Sequence, residues 1–165
     1  MISKKMEEAL NQQINAEFYS SYLYLAMAAD FEAKNLAGFA NWMKTQAREE
    51  WGHGLKMYGY IYEQNGKVTL AAIDAPPSMW KTPLEAFEAV YQHEQHITSL
   101  IHKLVALAIE DKDYATNMVL LHWFVKEQVE EEANALAIVE KLKMIGDNVP
   151  GLFMIDAQLG QRKAD

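Results

Sequence analysis

Residues 67–81, KVTLAAIDAPPSMWK, include Pro76 and Pro77 and show no helical periodicity. Apolar residues recur at helical spacing on both sides, and we predict helices at 3–34, 36–64, 82–111 and 113–146. About 15 extended residues reach about 50 Å, whereas a helix of about 29 residues is about 43 Å long. The stretch can therefore run the full length of a bundle and leave the second and third helices parallel. This predicts an all-α four-helix bundle with one long crossover.

The signals at the helix ends agree with short turns elsewhere. Asn35 separates the first two helices, and Asn65-Gly66 resembles a C-cap pair at the end of the second. Thr82 is suited to the N-cap of the third helix. Gly146 ends the fourth, and we expect a short fifth C-terminal helix at about 148–160. The whole chain, 1–165, is predicted to be a single domain.

Composition excludes several classes of protein. The chain has 165 residues, a formal net charge of −8 and no cysteine. Disulfides, thiol catalysis and Cys-ligated iron–sulfur clusters are therefore excluded. The acidic balance argues against nucleic acid or an anionic membrane as a partner. The N-terminal residues lack the apolar stretch of a secretory signal, so we expect a cytoplasmic protein.

Each predicted bundle helix carries a glutamate near the middle of its apolar stripe. These four residues are Glu17, Glu50, Glu94 and Glu131. They lie about 15–19 residues from the short turn that joins their helix pair, which places all four about 22–28 Å from one end of the bundle. We therefore expect the four carboxylates to meet at one level of the core.

A single glutamate on an apolar stripe is usually a boundary residue or is neutralised by a basic neighbour. No Lys or Arg lies on these stripes, and four unpaired carboxylates in a core would repel one another. Two divalent cations would balance their charge if His53 is neutral. Oxygen ligands with one imidazole and no thiolate suit iron or manganese better than structural zinc. Glu50 and His53 also have the i, i+3 spacing of the Glu-x-x-His motif in di-iron carboxylate bundles.

Four stretches carry a family resemblance: 15–24, NAEFYSSYLY; 48–53, REEWGH; His93-Glu94; and 123–132, WFVKEQVEEE. Through them the chain resembles the bacterial and archaeal non-haem ferritins over essentially its whole length. The resemblance implies a ferritin-like fold and a cytoplasmic iron-storage protein. Such a protein oxidises Fe²⁺ with dioxygen or peroxide and stores the ferric mineral in a hollow shell of 24 identical subunits. The fifth helix would lie around the four-fold axis of that shell.

The resemblance also implies roles for individual residues. One iron would be bound by Glu17, Glu50 and His53. A second would be bound by Glu50 as a bridge, Glu94 and Glu131, with Gln128 nearby. A third iron position of prokaryotic members maps onto Glu49, Glu127, Glu130 and Glu131. Tyr24, Glu50 and His53 would be catalytic, Tyr24 by bonding a ligand carboxylate or donating an electron.

Other functions remain open at this level. Trp51 and Gly52 stand where bacterioferritins carry a haem-ligating methionine, so no haem is expected. A di-iron oxidase acting on an organic substrate would have a second Glu-x-x-His motif, which is replaced here by Gln128-x-x-Glu131. A purely structural bundle would require the four core glutamates to be coincidental. Trp123 could be oxidised or simply packed, and His96, His102 and His122 have no assigned role.

Overall fold

A computed structural model of the protein describes residues 1–163, and these residues form α-helices without a strand. The bundle helices are α1 (Lys4–Ala33), α2 (Ala37–Glu63), α3 (Pro83–Glu110) and α4 (His122–Ile145), and α5 (Val149–Leu159) follows them. The predicted fold class, a four-helix bundle with a short fifth helix, is confirmed. The single domain stays a prediction, and its last two residues lie outside the described part. No helix within 1–163 is both long and apolar enough to cross a membrane.

The crossover, residues 67–81, lies along α1 from its beginning to its end. Near its start, Thr69 N donates to Asn11 Oδ1 at 2.7 Å. Asn15 Nδ2 donates to a crossover carbonyl one turn further on, at 3.0 Å. At its end, Trp80 N donates to Asp30 Oδ2 at 3.2 Å. Helix α3 therefore begins at the same end of the bundle as α2, and the two helices are parallel, as the length of the stretch predicted.

Residue Asn65 ends α2 in the left-handed region, with φ 58°. Asn tolerates this conformation because its short polar side chain can bond locally. Gly66 N then donates to Ile61 O at 2.8 Å, which closes the helix end. A Cβ at Gly66 would lie 2.8 Å from Glu7 Oε2 and 2.9 Å from Ile61 Cγ2, so a larger residue there would make these side chains shift.

The fourth helix departs from the prediction of one regular helix over 113–146. A π-helical segment, Thr116–Leu121, precedes α4. Asp113 caps this region, since its carboxylate accepts from Thr116 N at 3.0 Å and from Thr116 Oγ1 at 2.6 Å. A π-turn holds one residue more than an α-turn, and Leu120 and Leu121 are both buried here. The regular 3.6-residue spacing was therefore wrong over this turn.

The core consists of two apolar halves. One half contains the aromatic cluster of Phe31, Phe39 and Phe87. The other is built around Leu10, Ile101 and similar aliphatic side chains. Buried polar residues lie where the two halves meet: between them along α2, α3 and α4, and one residue before Phe18 on α1. This polar layer contains Glu17, Glu50, His53, Glu94, Gln128 and Glu131.

Helix α5 packs on the beginning of α2. The N-cap residue Leu36 offers no side-chain bond. Instead, Asp156 Oδ1 on α5 accepts from Gly38 N at 2.8 Å and from Phe39 N at 3.0 Å. A Cβ at Gly38 would lie 1.6 Å from the Asp156 carbonyl oxygen, so only glycine permits this approach. The free amides of α2 are thus satisfied by a carboxylate from another helix.

Candidate metal centre

Three side chains of the polar layer form a tight group between α1 and α2. Glu17, Glu50 and His53 each offer one ligand atom, and these atoms all lie within 4.8 Å of one another. His53 Nδ1 lies 3.2 Å from Glu50 Oε2 and 3.8 Å from Glu17 Oε2. The residues are 1%, 1% and 7% exposed. Within the described chain, Glu17 Oε2 and His53 Nδ1 are buried without a hydrogen-bond partner, an arrangement that suits a shared cation.

The ligand candidates on α3 and α4 lie outside this tight group but join the same hydrogen-bond network. Glu94 Oε1 accepts from the Tyr24 hydroxyl, and Glu94 Oε2 accepts from Gln128 Nε2 at 3.2 Å. Glu131 is linked to Glu50 by Gln46, whose Nε2 donates to Glu50 Oε1 at 2.7 Å and to Glu131 Oε2 at 2.8 Å. The four helices therefore bring the four glutamates to one level of the core.

Sequence reasoning missed two amides that hold these carboxylates. Gln13 Nε2 donates to Glu17 Oε1 at 2.9 Å, and Gln46 binds Glu50 and Glu131. Each glutamine lies four residues before a glutamate on the same helix, at a spacing that places two side chains on one face. That spacing is the signal that could have identified them. Both are buried, and neither brings a positive charge that would compete with a metal.

The family comparison agrees with this geometry. The model of the family described as ferritin-like domain matches residues 7–145. The chain belongs to the ferritin family. A bacterial non-heme ferritin of Bacteroides fragilis is 50% identical over 98% of this chain and 100% of its own length. One of Staphylococcus aureus is 39% identical over 100% of this chain and 99% of its own.

Solved structures give the same result for the fold. The novel open pore ferritin from the hyperthermophilic archaeon Archaeoglobus fulgidus superimposes with a TM-score of 0.97. It is 52% identical, and the match covers 98% of each chain. The resemblance to bacterial and archaeal ferritins that the sequence motifs indicated is confirmed.

Burial makes this ferritin's metal-free centre retain protons. Burial raises the pKa of Glu17 to about 7, and the neighbouring Glu50 carboxylate adds to the shift. Burial and Glu50 likewise raise the pKa of Glu131 to about 7. The pKa of Glu94 is raised well above its ordinary value, through burial and the charges of Glu50 and Glu131. Desolvation penalises the charged form of each group, so cations entering the layer displace protons.

At Glu50 and His53, the neighbouring groups outweigh the effect of burial on the pKa. Burial alone would raise the pKa of Glu50, but the adjacent His53 and the Gln46 amide outweigh it, and the pKa is lowered. Burial alone would lower the pKa of His53, but the Glu17 and Glu50 carboxylates raise it. Glu50 is thus the carboxylate held most firmly in its charged form.

Tyr24, which was predicted to be catalytic together with Glu50 and His53, is fully buried beside Glu94. Burial and the Glu94 charge raise the pKa of its hydroxyl well above its ordinary value. The ring lies edge-on to His93, with centroids 5.9 Å apart. His93 Nε2 lies 2.7 Å from Ser20 Oγ, and burial lowers its pKa to about 4. His93 is therefore neutral and joins α3 to α1 through Ser20.

The remaining predicted residues line an outer pocket next to the polar layer. This cavity has a volume of about 720 Å³ and is lined by Glu49, Gly52, His53, Leu55, Lys56, Trp123, Glu127, Glu130, Glu131, Asn134, Arg162 and Lys163. His53 and Glu131 thus belong to both the polar layer and the outer pocket. Glu130 is exposed, whereas Glu127 is half-buried. Trp123 packs edge-on against His53 with centroids 5.3 Å apart.

The outer pocket is less purely acidic than the motif suggested. Glu49 forms an ion pair with Arg162, at 2.5 Å between Oε2 and Nη2. Lys56 and Lys163 line the same cavity. Arg162 follows α5 in the chain and so lies on none of the four helix stripes. No local pattern connects it to Glu49, which is 113 residues away.

Proposed function

We propose that this ferritin oxidises Fe²⁺ at the centre between its four helices and stores the ferric product inside a shell of its own copies. The observation that carries the proposal is the polar layer: carboxylates from all four helices and the His53 imidazole meet at one level, between the two apolar halves of the core. Buried Glu is rare without a partner. Among the described residues, the partners of these carboxylates are amides, Tyr24 and His53, with no Lys or Arg.

The ligands divide between two iron positions. Glu17, Glu50 and His53 bind one Fe²⁺. Glu50 bridges to the second, which Glu94 and Glu131 complete, with Gln128 nearby. Each Fe²⁺ loses one electron, so two ions supply the two electrons that, with two protons, reduce dioxygen to hydrogen peroxide. Where peroxide is the oxidant, two further Fe²⁺ ions supply two electrons that, with two protons, reduce it to two molecules of water.

Protein side chains prepare this chemistry. The Tyr24 hydroxyl donates a hydrogen bond to Glu94 Oε1 and so orients a ligand of the second iron position. Its other possible role is to donate an electron during the reaction. Glu50 lies at the centre of the network and is the natural bridge. The raised pKa values of Glu17, Glu94 and Glu131 mean that iron binding releases protons near the reacting ions. The third iron position lies in the outer pocket at Glu49, Glu127, Glu130 and Glu131.

Shell formation has its own support in the surface of the subunit. Large apolar side chains are exposed on the crossover, on the π-helical segment and on α5; they include Leu70, Met79, Met118, Val119, Phe153 and Met154. Association of copies would remove such apolar side chains from water. We propose that these surfaces join 24 copies. Size-exclusion chromatography with light scattering should give that mass, and a monomeric or dimeric solution state would contradict it.

The activity is tested by replacing the only imidazole of the polar layer. His53→Ala should slow the fast phase of aerobic Fe²⁺ oxidation sharply and leave the assembly intact. His102→Ala, on the exposed face of α3, is the matched control and should oxidise iron at the wild-type rate. Near-ultraviolet absorbance of the ferric product follows the reaction. Wild-type oxidation by His53→Ala would contradict the assigned centre.

A further inference from the structure

The side chain of Arg162 occupies the outer pocket where the third iron position is proposed. Its Nη2 binds Glu49 Oε2 at 2.5 Å, and the two side chains are only 20% and 21% exposed. Its other terminal nitrogen, Nη1, is buried and has no hydrogen-bond partner among residues 1–163. A partly buried, charge-assisted pair of this length is stronger than an ordinary surface ion pair.

Contacts away from Glu49 fix the position of Arg162. The guanidinium lies over the Trp42 ring, 4.4 Å from its centroid. Asn41 Nδ2 on α2 donates to the Arg162 carbonyl at 3.0 Å, and also to the carbonyls of Leu159 at 3.3 Å and Gly160 at 3.4 Å. The segment that follows α5 is therefore fastened to α2, and it delivers the guanidinium to the pocket.

We infer that Arg162 is the resident counter-cation of the outer pocket, and that a divalent ion bound there displaces the guanidinium from Glu49. The inference rests on the proposed third iron position. A carboxylate oxygen that accepts a short bond from a guanidinium loses that bond when it coordinates a metal. A divalent ion that coordinates Glu49 through Oε2 therefore breaks the Arg162–Glu49 pair, whereas binding in the polar layer breaks no pair with a Lys or Arg among residues 1–163.

The third position should therefore bind its ion more weakly than the two positions in the polar layer. The paired ions bind carboxylates held by neutral amides, and the third ion competes with a tethered positive charge. When the pocket empties, Arg162 returns and neutralises Glu49, so the third position exchanges its ion readily. Because of the Arg162 side chain, the outer pocket binds iron only transiently.

The test is an anaerobic calorimetric titration of the assembled protein with Co²⁺ as the probe. Arg162→Gln should leave the two tight ions per subunit unchanged and raise the affinity for a third ion by about threefold to tenfold. Arg162→Lys keeps a charge with weaker stacking and should fall between the two. Lys103→Gln removes the same charge from the exposed face of α3 and should match wild type.

A double-mutant cycle identifies the partner. In a Glu49→Gln background, replacing Arg162 should change third-ion affinity much less than it does in wild type. Crystals soaked in Co²⁺ should show the Arg162 side chain turned away from Glu49. An unchanged or weaker third ion in Arg162→Gln, with two tight ions retained, overturns the inference alone. Absence of the two tight ions from wild type overturns the proposed function instead.

Discussion

At the scale of single residues, amide side chains hold the carboxylates of the centre in place of a Lys or Arg partner. Carboxylates in an apolar core need hydrogen bonds, but a Lys or Arg partner would compete with a metal ion. Gln13, Gln46 and Gln128 donate neutral hydrogen bonds to Glu17, Glu50, Glu94 and Glu131. The second oxygen of Glu17 accepts no hydrogen bond from residues 1–163 and lies 3.8 Å from His53 Nδ1.

The amide of Gln46 should therefore govern both metal positions. Gln46→Met keeps the length and volume of the side chain but removes the donor to Glu50 and Glu131. Loss of a group that orients ligands typically costs 10–100-fold in metal affinity, and we expect about that loss for both tight ions. Gln13→Met, which affects Glu17 alone, should weaken mainly the first ion. Anaerobic Co²⁺ titration calorimetry separates the two.

Equal effects of the two substitutions would contradict this division of roles. A Gln46→Met variant with wild-type affinities would show that the ligands hold their geometry without the amide. Thermal unfolding of each variant without metal provides the control for general damage to the core.

At the scale of helices, α5 supplies the N-terminal cap of α2. The first amides of α2 are bonded by Asp156 rather than by a residue of their own loop. Asp156→Ala should destabilise this junction by about 1–2 kcal/mol, the usual cost of losing a helix cap. Asp156→Asn retains the acceptor and should lose less.

Hydrogen–deuterium exchange at Gly38 and Phe39 measures this directly. Exchange should accelerate in Asp156→Ala while the amides around Glu50, in the middle of α2, keep their protection. Unchanged exchange at the first turn of α2 would show that α5 packs there without capping it.

Local patterns predicted the helices and the crossover because their causes are local. Thr82 accepts from Glu85 N at 3.1 Å as its position indicated, and the crossover spans the length of α1. The π-helical turn at Thr116 and the cap from Asp156 were not predictable in this way. The cap joins residues that are 118 apart in the chain. The π-helical turn has a local contact, between Thr116 and Asp113, but helical spacing of apolar residues does not show the one extra residue of a π-turn.

At the scale of the whole molecule, the candidate centre could be placed from the sequence because helix geometry converts residue counts into depth. Glu17, Glu50, Glu94 and Glu131 needed only the rise per residue and the positions of the short turns. Arg162 could not be placed, since it reaches the outer pocket through the docking of α5. Sequence reasoning thus located the four glutamates, whose depth the bundle fixes. It missed the amides of Gln13 and Gln46, and it missed Arg162, which lies on the segment that follows α5.

The titration of the polar layer links metal to the stability of the whole protein. The folded pKa values of Glu17 and Glu131 are about 7, against an ordinary 4.5, and that of His53 is raised above 6.5. At a pH between the unfolded and the folded pKa of each group, the metal-free folded state holds a proton that the unfolded chain has released. The free energy of unfolding therefore falls as pH rises through each of these ranges. His93 acts oppositely, but only between about 4 and 6.5, since burial lowers its pKa. Above pH 6.5 the net loss is unopposed.

Metal-free protein should therefore melt at a lower temperature at about pH 8 than at pH 6.5, because the carboxylates ionise and repel one another. Zn²⁺ replaces the lost protons and binds deprotonated ligands, so its stabilising effect should be larger at the higher pH. Differential scanning calorimetry at both pH values, with and without Zn²⁺, measures the four melting temperatures. Glu131→Gln removes one repelling carboxylate and should reduce both the pH dependence and the gain from Zn²⁺. Equal Zn²⁺ stabilisation at the two pH values, or a metal-free melting temperature that rises with pH, would contradict this prediction. It would mean that the buried glutamates neither have raised pKa values nor repel one another.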